Sequence, residues 1–154
     1  MIRGIIAHDD RGGAGKDGML PWPRNKEDMK RFAKLTKGST VLMGAATWDS
    51  DMPTPLPGRI NVVASRCPEK YEKADRVVED AALFLDGTKE DVWVIGGPSL
   101  FSSVIDRIEK VYVTHILGSW QCDVFYDVDS INRAFKFKNE KISPSAIFKI
   151  GEKI

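Results

Sequence analysis

Short apolar, β-branched runs recur along this chain at residues 2–8, 40–43, 59–65, 92–95 and 110–116, and the segments between them carry helix or turn chemistry. A run without polar alternation suits a strand covered on both faces, and strands that alternate with helices suit a parallel sheet. Asn25 is an N-cap for a helix running to about residue 35, and Gly38 stops it. Further helices are predicted over 45–51, over 80–85 with Gly87 as the stop, and from Pro98 to about 107. Prolines at 53, 55 and 57 forbid regular structure there, and Val77 and Val78 form a short strand. In the tail, 133–141 and 146–153 alternate apolar and polar residues around Ser143-Pro144-Ser145, which predicts a hairpin. The expected fold is α/β: one domain over 1–154, with a mainly parallel twisted central sheet. Helices should cover both faces, with a C-terminal antiparallel hairpin at the edge.

Composition narrows the function classes. At 154 residues, 42% hydrophobic and 29% charged, the chain can bury a core and is neither disordered nor membrane-embedded in composition. A formal net charge of +1 gives no electrostatic reason to expect nucleic acid or a membrane surface as partner. Cys67 and Cys122 are far apart and lack a metal-ligand pattern, so free thiols in a reducing cytoplasm are expected. His8 and His115 are the only histidines and match no zinc spacing; His115 suits a strand position facing solvent or a hydrogen-bond partner.

Residues 9–23 hold four glycines and two prolines and read as one long loop, a candidate functional segment. It closes with Leu20-Pro21-Trp22 and leads to Asp28 and Phe32. Residues four apart share a helix face, so a carboxylate and a ring point together. A carboxylate on an apolar face is costly unless paired. On the residues alone, Asp28 is equally a first-turn acid that complements the helix dipole, as Glu27 is.

Downstream come Val41-Leu-Met-Gly44-Ala-Ala-Thr47-Trp48, then Pro55-Leu-Pro-Gly-Arg59, then Val92-Trp-Val-Ile-Gly96-Gly97. With the Leu-Pro-Trp loop, this ordered set resembles dihydrofolate reductase from about Ile2 to Asp123. The Met-Gly-Ala and Pro-Trp-Pro-Arg variants look more like the bacteriophage members than the common bacterial ones. The resemblance implies NADPH-dependent reduction of dihydrofolate. Asp28 would hold the amidine-like edge of the pterin, where a carboxylate accepts two parallel N–H bonds. Thr114 would support that acid, Leu20 would be the lid residue, and Trp22 would order a water near Asp28. Ile5, Ile6, Ala7, Met29, Phe32, Leu56 and Ile95 would line the pocket, although each also suits a plain core position. Arg59 would take the carboxylate of the substrate's glutamate tail.

For the cofactor, the resemblance implies a diglycine, Gly96-Gly97, that lets the backbone approach a pyrophosphate at a helix N-terminus. Gly44, Ala45, Ala46 and Thr47 would offer a second such end, with Ser65 and Arg66 at the adenosine 2′-phosphate. Ala7, Gly15, Leu20, Ile95, Ser99, Leu100 and Phe101 complete the implied cofactor set. The family usually carries a basic residue where this chain has Ala45, and often another at Ala46. One extra residue lies between Trp22 and Asp28 and one between Trp48 and Pro55, which blurs contacts for Asp51 and Met52. A pyrimidine or flavin-precursor reductase of the same architecture would not need the Leu-Pro-Trp loop, Asp28 or Arg59. A pterin-binding structural or regulatory protein with little turnover remains the rival that the alanines keep open. No metal is implied, the substrate is the partner, and a cytoplasmic monomer is the expectation.

Overall fold

A computed structural model of the chain describes residues 1–50 and 52–154. Its main strands are β1 (Ile2–His8), β3 (Thr40–Gly44), β4 (Ile60–Ala64), β5 (Arg76–Val78), β6 (Val92–Val94), β7 (Lys110–Ile116), β9 (Phe135–Ile142) and β10 (Ala146–Lys153). They form one eight-stranded sheet in the order β5-β4-β3-β6-β1-β7-β10-β9. Every pairing from β5 to β7 is parallel, and the β7–β10 and β10–β9 pairings are antiparallel. The expected mainly parallel sheet with a terminal hairpin is therefore present. A separate ribbon pairs β2 (Gly13–Gly15) with β8 (Val124–Phe125).

The connections place the carboxyl ends of the parallel strands along one edge. From β1 the chain passes through α1 (Lys26–Thr36) to β3, α2 (Ala45–Trp48) and β4, and then to β5 and α3 (Ala81–Gly87). It returns as β6 into the gap between β3 and β1, followed by α4 (Pro98–Val104) and β7. Open α/β sheets bind ligands outside the carboxyl ends of strands where the order reverses in this way.

Two apolar layers sandwich the sheet. On one face Val41, Met43, Val63, Trp93, Ile5 and Ile95 pack with Phe32 and Leu35 of α1. On the other, Leu42, Val62, Val94 and Ile6 meet Phe101 and Val104 of α4, Leu85 of α3 and Ile131. Alternation along β1 thus sends Ile5 and Ile6 to opposite faces. A Cβ on Gly4 would lie 2.8 Å from the Phe101 ring, so glycine is what lets α4 close on β1.

Several expected boundaries shift. The segment 9–23 is not featureless: Gly13–Gly15 pairs with β8, tying the loop to the chain beyond β7. Asp80 lies outside α3 as its cap, accepting from the Leu83 N–H at 3.0 Å, and the helix runs through Gly87. The helix from Pro98 ends at Val104 and tightens into a 3₁₀ turn, Ile105–Arg107. The helix expected over 45–51 spans Ala45–Trp48, and its predicted end at Asp51 lies outside the described residues. The hairpin strand expected from 133 begins at Phe135, because α5 (Val128–Ala134) precedes it, capped by Asp127.

Asp9 secures the base of the long loop. Its residue is 1% exposed, and Oδ1 accepts from the N–H groups of Arg11 and Gly13 at 2.9 and 2.8 Å. Its Oδ2 accepts from the Trp120 N–H at 3.0 Å and the Cys122 thiol at 3.5 Å. Burial alone would raise this carboxyl, yet the N–H groups of Trp120, Arg11 and Gly13 outweigh it and hold the group below the usual carboxylate range. A depressed folded value gives stability that is present above the unfolded titration and lost as pH falls through the folded one. Asp9→Asn should therefore lower stability near pH 7 by ~1.5–3 kcal/mol, the scale of a hydrogen bond to a charged group. Thermal unfolding of both proteins from neutral to acid pH checks this: the gap should close as the wild-type carboxylate protonates.

Candidate active site

The N-terminus of α1 presents the acid. Asn25 caps the helix by accepting from the Asp28 N–H at 3.0 Å, which fixes the first turn. Asp28, Arg31 and Phe32 then lie on the side turned to the sheet. Thr114, buried on β7, donates its hydroxyl to Asp28 Oδ1 at 2.6 Å. Asp28 Oδ2 has no hydrogen bond from the protein among the described residues. Burial pushes the Asp28 carboxyl above its usual range, while the Thr114 hydroxyl and the Arg31 charge pull it part of the way back.

The structure gathers most of the predicted pocket. Ile5, Leu56 and Ile95 share one buried cluster with Phe32. Trp22 is 5% exposed and packs with Ile116, Ala146 and Phe148, with Ala7 against the same cluster. Met29 is exposed, and its sulfur sits 3.1 Å from Arg24 Nε. Leu20 is 54% exposed, beside a tight turn in which Lys16 and Met19 pair. Two residues expected in the site do not reach it with their side chains. Ile6 packs into the opposite face of the sheet, and Phe101, 1% exposed, fills the core against Tyr126. Both lie on elements that line the site, but alternation and helix phase turn their side chains inward.

Arg59 is held by residues that its own motif does not reveal. Buried Asn61 accepts from the Leu56 N–H at 2.8 Å, and its amide donates to the carbonyls of Leu56 and Arg59, both at 3.0 Å. That brace shapes the Pro-Leu-Pro-Gly-Arg loop. The Arg59 guanidinium lies 5.7 Å from the Phe32 ring, and burial lowers its proton affinity. Its Nε is buried with no hydrogen-bond partner among the described residues. An arginine left so wants an anion.

A long groove crosses the carboxyl ends of β3, β4 and β5 and the start of α4, lined by Gly44, Ala45, Ala46, Gly97, Ser99 and Leu100 among others. Its polar lining includes Ser65, the cations Arg66, Arg76 and Lys89, and the acids Asp75, Glu79, Asp80 and Glu90. Asn25, Asp80 and Asp127 cap α1, α3 and α5 with their side chains, whereas Gly44 and Gly97 leave α2 and α4 without a side-chain cap. The Gly96–Gly97 peptide is cis, and Gly96 accepts from the Gly44 N–H at 2.9 Å. At Gly96, φ is +112° and a Cβ would lie 2.7 Å from the Tyr126 hydroxyl, so only glycine fits. Thr47 borders this diglycine. Gly15 is buried in β2, outside the groove lining. Ser65 accepts from the Cys67 N–H at 3.0 Å, and Arg76 rests 5.2 Å from the Phe84 ring.

A family model for dihydrofolate reductase matches residues 1–146. The chain belongs to the dihydrofolate reductase family. Chicken dihydrofolate reductase is 32% identical over 145 residues, covering 81% of this chain and 77% of that protein. A bifunctional dihydrofolate reductase-thymidylate synthase from Paramecium tetraurelia is 32% identical over 88% of this chain, which spans only 31% of that larger protein. In architecture, dihydrofolate reductase from Enterococcus faecalis, complexed with NADP(H) and RAB-propyl, superposes with a TM-score of 0.80 at 22% identity, covering 99% of this chain and 96% of its own.

Family membership leaves three side chains unaccounted for by the sequence motifs. Arg31 acts through tertiary contacts, Asn61 through the neighbouring loop backbone, and Asp9 through both. Only Arg31 carried a usable signal, because its position three after Asp28 puts it on the same helix face.

Proposed function

We propose that this chain is an NADPH-dependent dihydrofolate reductase that converts 7,8-dihydrofolate to 5,6,7,8-tetrahydrofolate. The observation that carries the site assignment is the pairing of Asp28 with Thr114 under α1. One carboxylate oxygen is pinned and the other is left to the ligand. A pterin's amidine edge offers two parallel N–H donors, which such a carboxylate can take. The groove fits the cofactor: two uncapped helix starts and a glycine cradle suit a pyrophosphate, and Arg66 suits a 2′-phosphate. NADPH supplies the hydride when bound.

The chain's own groups bind and orient. Asp28 holds the pterin, and the ring nitrogen that gains a proton receives it through water. Ile5, Ile95 and Phe32 give the ring an apolar bed. Leu20 closes over it with the loop tip, excluding bulk solvent. Arg59, with its unpartnered Nε, takes the carboxylate of the glutamate tail.

Asp28→Asn should lower turnover by about 10²–10⁴-fold, the scale of lost acid–base assistance. The variant should fold. Because burial raises the folded value of Asp28, its ionised form costs stability at pH values above the usual carboxylate range and not below it. The ligand-free variant should therefore be no less stable than wild type at pH 7. Cofactor oxidation with saturating dihydrofolate and a melting curve check both; near-normal turnover would sink the assignment.

Arg59→Ala should raise the Michaelis constant for dihydrofolate by about 10-fold or more, given ~1.5–3 kcal/mol for a charge-assisted hydrogen bond. The limiting rate should change little, the mark of lost uniform binding. Inhibitors without a glutamate should bind as before, and equal weakening of both ligand kinds would refute the role.

Arg66→Ala should remove most of the preference for NADPH over NADH, about 10-fold or more on the same scale. Ala45→Arg should tighten NADPH most at low salt, since exposed pairs are screened. Titrating both cofactors at two ionic strengths decides this. An unchanged preference in Arg66→Ala would overturn the assignment of the 2′-phosphate to that strand end.

A further inference from the structure

Arg31 is an unusual residue to find against the sheet. Its side chain is 11% exposed, and its guanidinium lies 5.4 Å from the Tyr112 ring and 5.1 Å from the Phe148 ring. Burying a guanidinium is costly unless rings and anions compensate it. Nη2 meets Glu140 Oε1 on β9 at 3.2 Å, and Nη1 donates to Thr114 Oγ1 at 3.5 Å, the same hydroxyl that donates to Asp28. A charge-alternating chain thus runs from Asp28 through Thr114 and Arg31 to half-exposed Glu140.

We propose that Arg31 is a positioning residue for the pterin site, fixing the Thr114 hydroxyl and setting, in opposition to Glu140, the pH range over which Asp28 works. The proposal rests on Asp28 being the pterin's partner. Other charged groups near Arg31 are engaged, exposed to solvent or turned to the other face. On its own helix Glu27 pairs with Lys141 of β9, while Lys30 and Lys34 are exposed. On β7, Lys110 sits over the outer side of Tyr112 and pairs with Glu152 of β10. Lys138 of β9 is exposed and in register with Ile150. On β1, Arg3 lies over Trp93. Lys149 and His115 alternate onto the opposite face, where Lys149 covers Phe137 and His115 meets Asp10. Asp28 is left with Arg31 as its near cation, consistent with the downward pull of that charge on its carboxyl.

The signs of the two variants are opposite. Arg31→Met removes the cation and should raise the Asp28 titration midpoint by about one pH unit, the low end for a charge within ~4–6 Å. Glu140→Gln frees the cation from its counter-ion and should lower that midpoint. Arg31→Lys keeps the charge and should stay near wild type. The midpoints are read in the ligand-free protein by carboxyl carbon NMR, with Asp28→Asn identifying the resonance, and in the pH profile of turnover at saturating dihydrofolate and NADPH. Opposite displacements support the proposal. Displacements of the same sign, or none, overturn it. Should Arg31→Met not fold, a downward shift in Glu140→Gln together with a wild-type midpoint in Arg31→Lys supports it, and any other pair of results overturns it. Turnover surviving in Asp28→Asn would instead refute the pterin assignment, and the ligand-free midpoints would still report on Arg31.

Discussion

Holding a carboxylate between a helix and a sheet constrains everything around it. Asp28 lies half-buried where α1 crosses β7, and an unpaired charge there would favour either neutralisation or a displaced helix. Three groups oppose both. Asn25 locks the first turn, Thr114 bonds one carboxylate oxygen, and Arg31 supplies a cation held by two rings and Glu140. Phe32, one turn on from Asp28, places its ring in the layer formed by Ile5, Leu56 and Ile95 and beneath Arg59. One helix thereby places the Asp28 carboxylate, the Phe32 ring in its apolar layer and the contact of that ring with the Arg59 guanidinium.

The cofactor side follows a different logic. Where α1, α3 and α5 have side-chain caps, α2 and α4 have glycine N-caps without one, and in α4 the uncapped donors begin at Ser99 because Pro98 has no N–H. Short helices carry little dipole beyond their first turn, so the donors matter more than the macrodipole. Ala45 and Ala46 add no charge at that end. At the carboxyl end of β4 the groove's cation is Arg66, and the acids Asp75, Glu79 and Asp80 share the same lining. Binding strength there should come from backbone donors near the diglycine and from side-chain charge only at the distal end.

Much of this was legible in the sequence, for identifiable reasons. Strands such as 40–43 and 110–116 are covered on both faces and so read as continuous apolar runs, and the N-cap at Asn25 and the tail alternation carry local signals. What the sequence hides depends on distant partners or on signals that adjoining elements mask. β2 and β8 are too short to show a period and exist through their mutual pairing. α5 is hidden because its turn of residues abuts an alternating strand, although Asp127 caps it much as Asp80 caps α3. Ile6 and Phe101 were placed by motif rather than by phase, and phase turned them into the core. Asp9 and Asn61 look like ordinary loop and strand polar residues until their backbone donors and acceptors are in place. The Asp28–Thr114 pairing spans 86 positions, and no spacing rule could supply it.

The long loop shows how rigidity and freedom are apportioned. On its N-terminal side, the Asp9 carboxylate and the β2–β8 pairing fix the chain as far as Gly15, and the Asp17 N–H adds a bond to Asp123 at 2.9 Å. On its C-terminal side, Trp22 is buried with Ile116, Ala146 and Phe148. Between these anchors, residues 16–20 are exposed and Gly18 adopts a φ of +78° with open space about it. Only this tip, which includes Leu20, can rearrange without disturbing a core contact. Local opening free energies are lowest where buried contacts are few. Movement of this loop is therefore confined to its tip, between the anchors at Asp9 and Trp22.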